Sequence, residues 1–306
     1  MQGKIKRSFG AYLLLTVKGF CMGAADVVPG VSGGTMAFIL GIYEELIDAI
    51  RSFDLGSLKL MATAKIRLLL DRIAWRFLLA LGCGILLAIF SLSKMLTWLL
   101  QNEPVLIWSF FLGLILASVV TVSKRVENWR LPTWCSLLLG LAGIYVVVGM
   151  VPGITPDSYW FLFVSGAVAI CAMILPGISG SFILVLMGKY QYILEAVNNR
   201  NLLVLIIVAA GACVGLAAFS RLLGWLLSKY HDYMVAFLTG LMLGSLRKVW
   251  PFKETLESIV GSGGKVIPMV QKNILPAQWT GEVTGALCLG ALGFVVVLVL
   301  DRMARR

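Results

Sequence analysis

The stretch Asp26–Thr35, "DVVPGVSGGT", interrupts a hydrophobic sequence. The apolar run "AYLLLTVKGFCMGAA" (11–25) precedes it and "MAFILGIY" (36–43) follows. Proline gives no amide hydrogen to a helix, and glycine loosens one. A helix entering this stretch therefore breaks and restarts, with a carboxylate beside the break.

The surrounding composition decides what kind of helix is broken. Of 306 residues, 59% are hydrophobic and 13% charged, whereas a soluble domain has roughly 45–50% apolar and about 25% charged residues. The excess apolar surface must face lipid, so the chain is an integral membrane protein. "LLVLIIVAAGACVGLAAF" (202–219) and "GALCLGALGFVVVLVL" (285–300) approach the ~20 residues a spanning helix needs. The runs 76–93, 104–122, 134–151 and 159–175 are further candidates. None alternates strictly, which favours helices over a β-barrel. The basic N-terminal segment leads into apolar sequence that Lys18 interrupts and that shows no small-residue cleavage site, so a retained first helix is expected.

The net charge of +11 comes from basic residues in loops and at the ends. That placement orients a membrane protein toward anionic headgroups and argues against nucleic acid as a partner. The six cysteines stand singly in apolar segments, so they are expected to be small fillers, not metal ligands or disulfides. His231 is the only histidine, and no Walker A motif is present. Histidine-dependent lipid phosphatase chemistry and ATP hydrolysis are therefore disfavoured.

The broken stretch has a twin. "VPGVSGGTMAFILGIYEELIDAI" (28–50) aligns without gaps with "LPGISGSFILVLMGKYQYILEAV" (175–197). "SKMLTWLL" (93–100) matches "SRLLGWLL" (220–227), and "FFLGLILAS" (110–118) matches "FLTGLMLGS" (237–245). The offset falls from 147 to 127 residues between these blocks, so the first half carries an insertion of 20, placed near 51–75. Two membrane repeats are expected, 1–151 and 152–306, forming one transmembrane domain. Basic residues at the N-terminus, in 51–76 and in 123–130 place those segments in the cytoplasm. The first half then starts inside and ends outside, and the second does the reverse. The expected fold is an all-α integral membrane protein: an inverted-topology repeat with two re-entrant or broken helical hairpins. The 248–278 connection fits this scheme poorly, since it falls outside yet carries Lys248, Lys253, Lys265 and Lys272.

A helix restarting after P-G-x-S-G presents amide hydrogens and a positive dipole end, which suits phosphate or carboxylate. Gly30, Ser32, Gly33, Gly34 and Thr35 of one copy, and Gly177, Ser179, Gly180 and Ser181 of the other, are the expected anion cradle. The alternative is that each copy is only a kink or a close helix crossing. Arg221, Lys94 and Lys18 are candidate cations for the anion; Lys94 and Arg221 could equally be interfacial anchors beside tryptophans. Asp26 has Met173 as its counterpart, so it lies outside the shared cradle. An intramembrane carboxylate marks a functional site by default. Asp26 is thus a candidate for coupling to H⁺ or Na⁺, or else a helix cap or a partner of Lys18. No other cofactor and no metal site is expected.

With these residues assembled, "MGAADVVPGVSGGTMAFILGIYEELI" (22–47) and "ILPGISGSFILVLMGKY" (174–190) resemble the polyprenyl-phosphate transporter family, formerly a bacterial domain of unknown function. The resemblance covers nearly the whole chain. It implies a multi-pass protein of the bacterial cytoplasmic membrane, not an enzyme, that returns undecaprenyl phosphate to the inner leaflet for reuse in cell-wall synthesis. The residues alone reach only "transporter of an anion". A carrier of a small soluble anion, an enzyme acting on a lipid phosphate and an assembly scaffold stay open on that basis.

Overall fold

The computed structural model describes residues 7–27, 32–150, 152–153, 155–260 and 266–304. The first half contains α1 (Phe9–Asp26), α2 (Gly33–Ile39), α3 (Tyr43–Arg51), α4 (Leu55–Ala62), α5 (Ile66–Arg72), α6 (Trp75–Asn102), α7 (Pro104–Ser123) and α8 (Leu131–Gly149). The second contains α9 (Tyr159–Ile174), α10 (Gly180–Leu186), α11 (Tyr190–Asn198), α12 (Leu202–Lys229), α13 (His231–Val249) and α14 (Gly281–Ala304). Between α13 and α14 an antiparallel ribbon forms from β1 (Lys253–Val260) and β2 (Val266–Asn273). The chain is thus a helical membrane protein with one small sheet among the described residues, a ribbon that the apolar pattern does not announce.

Among the described residues five helices, α6, α7, α8, α12 and most of α14, are long and apolar enough to cross a bilayer, and α9 is a shorter apolar helix. Their outer faces carry large bare side chains: Phe90 is 80% exposed, Leu139 68% and Ile206 64%. Apolar surface of this extent belongs out of water, as on the lipid-facing side of a membrane bundle. No helix lies between α11 and α12, and α4 and α5 occupy the 51–75 region. There Asp54 caps α4 by accepting from Ser57 N and pairs with Arg72 of α5.

Lipid tails are as apolar as leucine, so helices in a membrane are held by close van der Waals contact through small residues. A Cβ on Gly84 of α6 would sit 2.0 Å from Thr16 O of α1, and one on Gly211 of α12 1.9 Å from Phe163 O of α9. Gly113 of α7 abuts Gly290 of α14 at 1.9 Å, and Gly240 of α13 abuts Leu137 of α8 at 2.0 Å on the same measure. The crossing glycines align between the halves, Gly84 with Gly211 and Gly113 with Gly240. α1 packs on α6 as α9 packs on α12, and α14 packs on α7 as α8 packs on α13. The last two pairings exchange helices between halves. The central contact is between α7 and α13, both rich in buried residues.

The bundle has two distinct ends. One gathers Arg7 with Glu45, Arg221 on Phe53 O and Asp232 on the amides of Glu127 and Asn128. The other gathers Arg247 on Tyr145 O, Lys189 with Asp157 and Thr155 O, and Lys253 over Trp108.

Candidate functional site

α2 and α10 are short, seven residues each, and both end alike. Gly41 and Gly188 adopt φ of +69° and +65°, the left-handed turn that glycine tolerates without strain. The next amide then bonds back five residues, Ile42 N to Ala37 O and Lys189 N to Leu184 O, which is the Schellman closure. Their starts also share a backbone: Ser32 and Ser179 stand at the N-cap with ψ of 133° in each case.

What surrounds these helices differs. Asp26 Oδ1 accepts from Gly33 N at 2.7 Å, and Ser32 Oγ accepts from Gly34 N at 3.1 Å. Lys18 Nζ donates to Leu40 O at 2.8 Å. Asp26 and Lys18 lie eight residues apart on α1, about 12 Å at 1.5 Å per residue. That separation matches α2 running antiparallel beside it. The negative group meets the positive end of α2 and the positive group its negative end, as the helix dipole favours. Asp26 is therefore a helix cap, and Lys18 is engaged at the far end of α2 and not with Asp26.

In the second half Met173 replaces Asp26 and Ser165 replaces Lys18. The C-terminal carbonyls of α10 are instead met by Gly153 N on Leu186 O and by the Thr155 hydroxyl on Met187 O. The start of α10 has no side-chain cap. Ser179 and Ser181 share a hydrogen bond of 2.8 Å with each other, and Ser181 is exposed.

The two broken segments touch directly. Ser32 Oγ lies 3.1 Å from Met173 O and 3.3 Å from Leu175 O. The Tyr43 hydroxyl donates to Ile174 O at 3.2 Å, and Gly177 N donates to Thr35 Oγ1 at 2.9 Å. A Cβ on Gly34 would stand 2.4 Å from Ile174 O, so only glycine allows this approach. The break between α9 and α10 frees carbonyls and an amide that lipid cannot satisfy; side chains of the first half satisfy them.

The structure thus brings Ser32, Gly33, Gly34, Thr35 and Gly177 into one network, with Ser179, Gly180 and Ser181 continuing from it. Gly30 lies outside the described residues. Lys94 is exposed on α6, and Arg221 bonds Ala217 O and Phe53 O near the end of α3; neither joins this network. A cation beside the first turn of α10 is one that sequence patterning did not single out for the site. Lys248 Nζ sits 4.8 Å from the centre of the Phe182 ring, one residue beyond Ser181. The only signal for it was the misplaced positive charge of the 248–278 connection.

An apolar groove of about 470 Å³ starts at Leu175, within the junction, and is lined by Phe219, Leu223, Leu226, Phe237 and Tyr230 among others. The arrangement offers a helix start without a side-chain cap, with Ser181 exposed, on the same junction segment as the apolar groove at Leu175. A short polar head on a long apolar chain matches such a pair of surfaces.

Comparison with known proteins agrees with that chemistry. The family model described as undecaprenyl phosphate translocase-like (VCA0040-like) matches residues 22–267. A polyprenyl-phosphate transporter of Vibrio cholerae serotype O1 is 45% identical over 312 aligned positions, covering 100% of each chain. A polyprenyl-phosphate transporter of Staphylococcus aureus is 31% identical over 256 positions, covering 77% of this chain and 85% of that one. No solved structure matches the chain. With the match spanning most of its length and both broken motifs, the chain belongs to the undecaprenyl phosphate translocase-like family.

Proposed function

We propose that this protein translocates polyprenyl phosphate, with undecaprenyl phosphate as the leading substrate, across the bacterial cytoplasmic membrane. The observation that carries the reading is the asymmetry of the two helix starts: α2 is capped by its own carboxylate, whereas α10 is bare. Asp26 occupies on Gly33 N the place a phosphate oxygen would take, so the first half illustrates what the second half offers. The phosphate sits at Ser179, Gly180 and Ser181, and the isoprenoid chain lies in the groove beginning at Leu175. The groove favours a lipid over a small soluble anion, and both relatives are named transporters, not enzymes.

In this reading the two halves form an inverted repeat with re-entrant α2–α3 and α10–α11 hairpins. The glycine crossings at aligned positions support that symmetry. The end bearing Arg7, the 123–130 loop and Lys229 faces the cytoplasm, as the excess of basic residues requires. Rocking of the halves about the α7–α13 contact exposes the junction to each leaflet in turn. Transport runs from the outer to the inner leaflet. Asp26 couples it to a cation: protonation or Na⁺ binding draws the carboxylate off Gly33 N and opens the first half-site to phosphate.

Leaflet-resolved undecaprenyl phosphate in proteoliposomes, with and without pH and Na⁺ gradients, tests this. The hydroxyls of Ser179 and Ser181 bond only each other among the described residues, so S179A/S181A should insert normally. Its transport rate should fall about tenfold or more, the scale of one lost hydrogen bond to a charged group. A native rate in that variant would remove the cradle.

A further inference from the structure

Lys248 lies in the last turn of α13 and Lys253 begins β1, on the face of the bundle opposite the basic loops. Lys253 Nζ donates to Lys248 O at 2.6 Å and stands 4.8 Å from the centre of the Trp108 ring. Lys248 Nζ stands 4.8 Å from the centre of the Phe182 ring. Both lysines are half-buried. Among the described residues neither is in an ion pair, and the neighbouring Glu254 is exposed. Arg247, which precedes Lys248 in sequence, is committed to Tyr145, whose ring it covers at 4.3 Å and whose carbonyl it bonds.

A desolvated ammonium without a counter-charge is costly, and a second ammonium beside it raises the cost. Burial, and then the charge of Lys248, holds Lys253 down to about 8, well below the usual lysine range. Aromatic faces at Trp108 and Phe182 offset part of that cost. A dianionic ligand would remove the rest. The two lysines also lead somewhere: Phe182 follows Ser181, so the pair lies on the approach to the bare start of α10.

We propose that Lys248 and Lys253 form a capture site for the phosphate monoester of the lipid, from which the head passes to Ser181 and Ser179. The inference rests on the transport reading above and adds the station at which the substrate is first held. It also accounts for the positive 248–278 connection, which runs against the charge expected of an external segment. The lysines are there for the substrate and not for orientation.

Binding of radiolabelled undecaprenyl phosphate to the full chain in phosphatidylcholine nanodiscs tests the site. K248Q/K253Q should weaken binding about tenfold or more, as loss of charge-assisted hydrogen bonds would. K248R/K253R keeps both charges and should retain more of the native affinity than K248Q/K253Q. Undecaprenol, with the same chain and no phosphate, should bind both variants as it binds the native protein. Native affinity for undecaprenyl phosphate in K248Q/K253Q overturns the inference, and so does an equal loss for undecaprenol. Equal competition by inorganic phosphate and by the lipid would overturn the lipid assignment and leave a small-anion site. The transport reading fails separately, through a native flipping rate in S179A/S181A.

Discussion

Asp26 and Met173 occupy aligned positions with opposite consequences. The carboxylate closes α2 by binding Gly33 N, and the thioether leaves α10 open. Loss of an N-cap costs about 0.5–2 kcal/mol. Asp26→Ala should therefore lower thermal stability in detergent by an amount of that order. Asp26→Asn keeps an oxygen for Gly33 N and should melt close to native. If Asp26 also couples transport, Asp26→Asn should lose its response to a pH or Na⁺ gradient while staying folded; a gradient response equal to native would exclude that role. Lys253 gives a pH signature. Its folded value, about 8, lies below the ~10.4 of an unfolded lysine, so the unfolded chain holds the extra proton between the two. Stability linked to this group is lowest below about pH 8 and rises from there toward pH 10. The melting difference between native protein and Lys253→Met should shrink over that window, and a constant difference would reject the assignment. The sequence marked Asp26 as special because a carboxylate among apolar residues is conspicuous. It could not tell a cap from a pair with Lys18, since that depends on which amide and which ammonium lie nearest in space.

Elements show how one pattern is stabilised in two ways. α2 and α10 share their length, N-cap serine and left-handed glycine, all of which are local and legible in P-G-x-S-G and the aligned glycines. The groups that satisfy their ends are not local. α1 brackets α2 with Asp26 and Lys18, whereas the segment before α9 meets the end of α10 through Gly153 and Thr155. Lys18→Met should thus destabilise the first half, by about 0.3–1 kcal/mol for a charge at a helix end, without a matching site in the second. The glycine crossings are the stronger constraint. A Cβ at Gly113 or Gly240 would fall about 2 Å from a facing carbonyl, and relief requires the helices to separate. Gly113→Ala or Gly240→Ala should cost about 1–3 kcal/mol or more and reduce the yield of folded protein. Gly82 and Gly143 meet nothing within 4 Å, so alanine there should change stability by no more than about 0.5 kcal/mol. Comparable losses at all four glycines would refute the crossing argument.

At the scale of the molecule, the halves are not side-by-side units. α8 crosses to pack on α13 and α14 crosses to pack on α7, so each half is completed by a helix of the other. Neither 1–151 nor 152–306 is expected to form a stable bundle when expressed alone, and co-expression should restore assembly; an active isolated half would contradict the exchange. The orientation is open to direct measurement. Cysteines introduced at Glu127 and Glu254 in a cysteine-free background should react with impermeant reagent from opposite sides of sealed vesicles, Glu127 from the cytoplasmic side. Labelling of both from one side would undo the inverted arrangement and the capture site with it.

Composition and backbone chemistry by themselves determined that the chain lives in lipid, where its helices break and that the breaks come as a pair. Those properties depend on residue type and near neighbours: apolar content demands lipid, and proline with glycine ends a helix wherever it stands. The tertiary structure alone decided which groups meet. It set Ser32, Thr35 and Tyr43 against the backbone of the second break, exchanged α8 and α14 between the halves, and brought Lys248 to Phe182 while leaving Lys94 and Arg221 apart. The reason is that membrane helices apolar on all sides carry no stripe to announce their contact face. Their partners are selected by where small residues let backbones approach, and that is settled only when the helices pack.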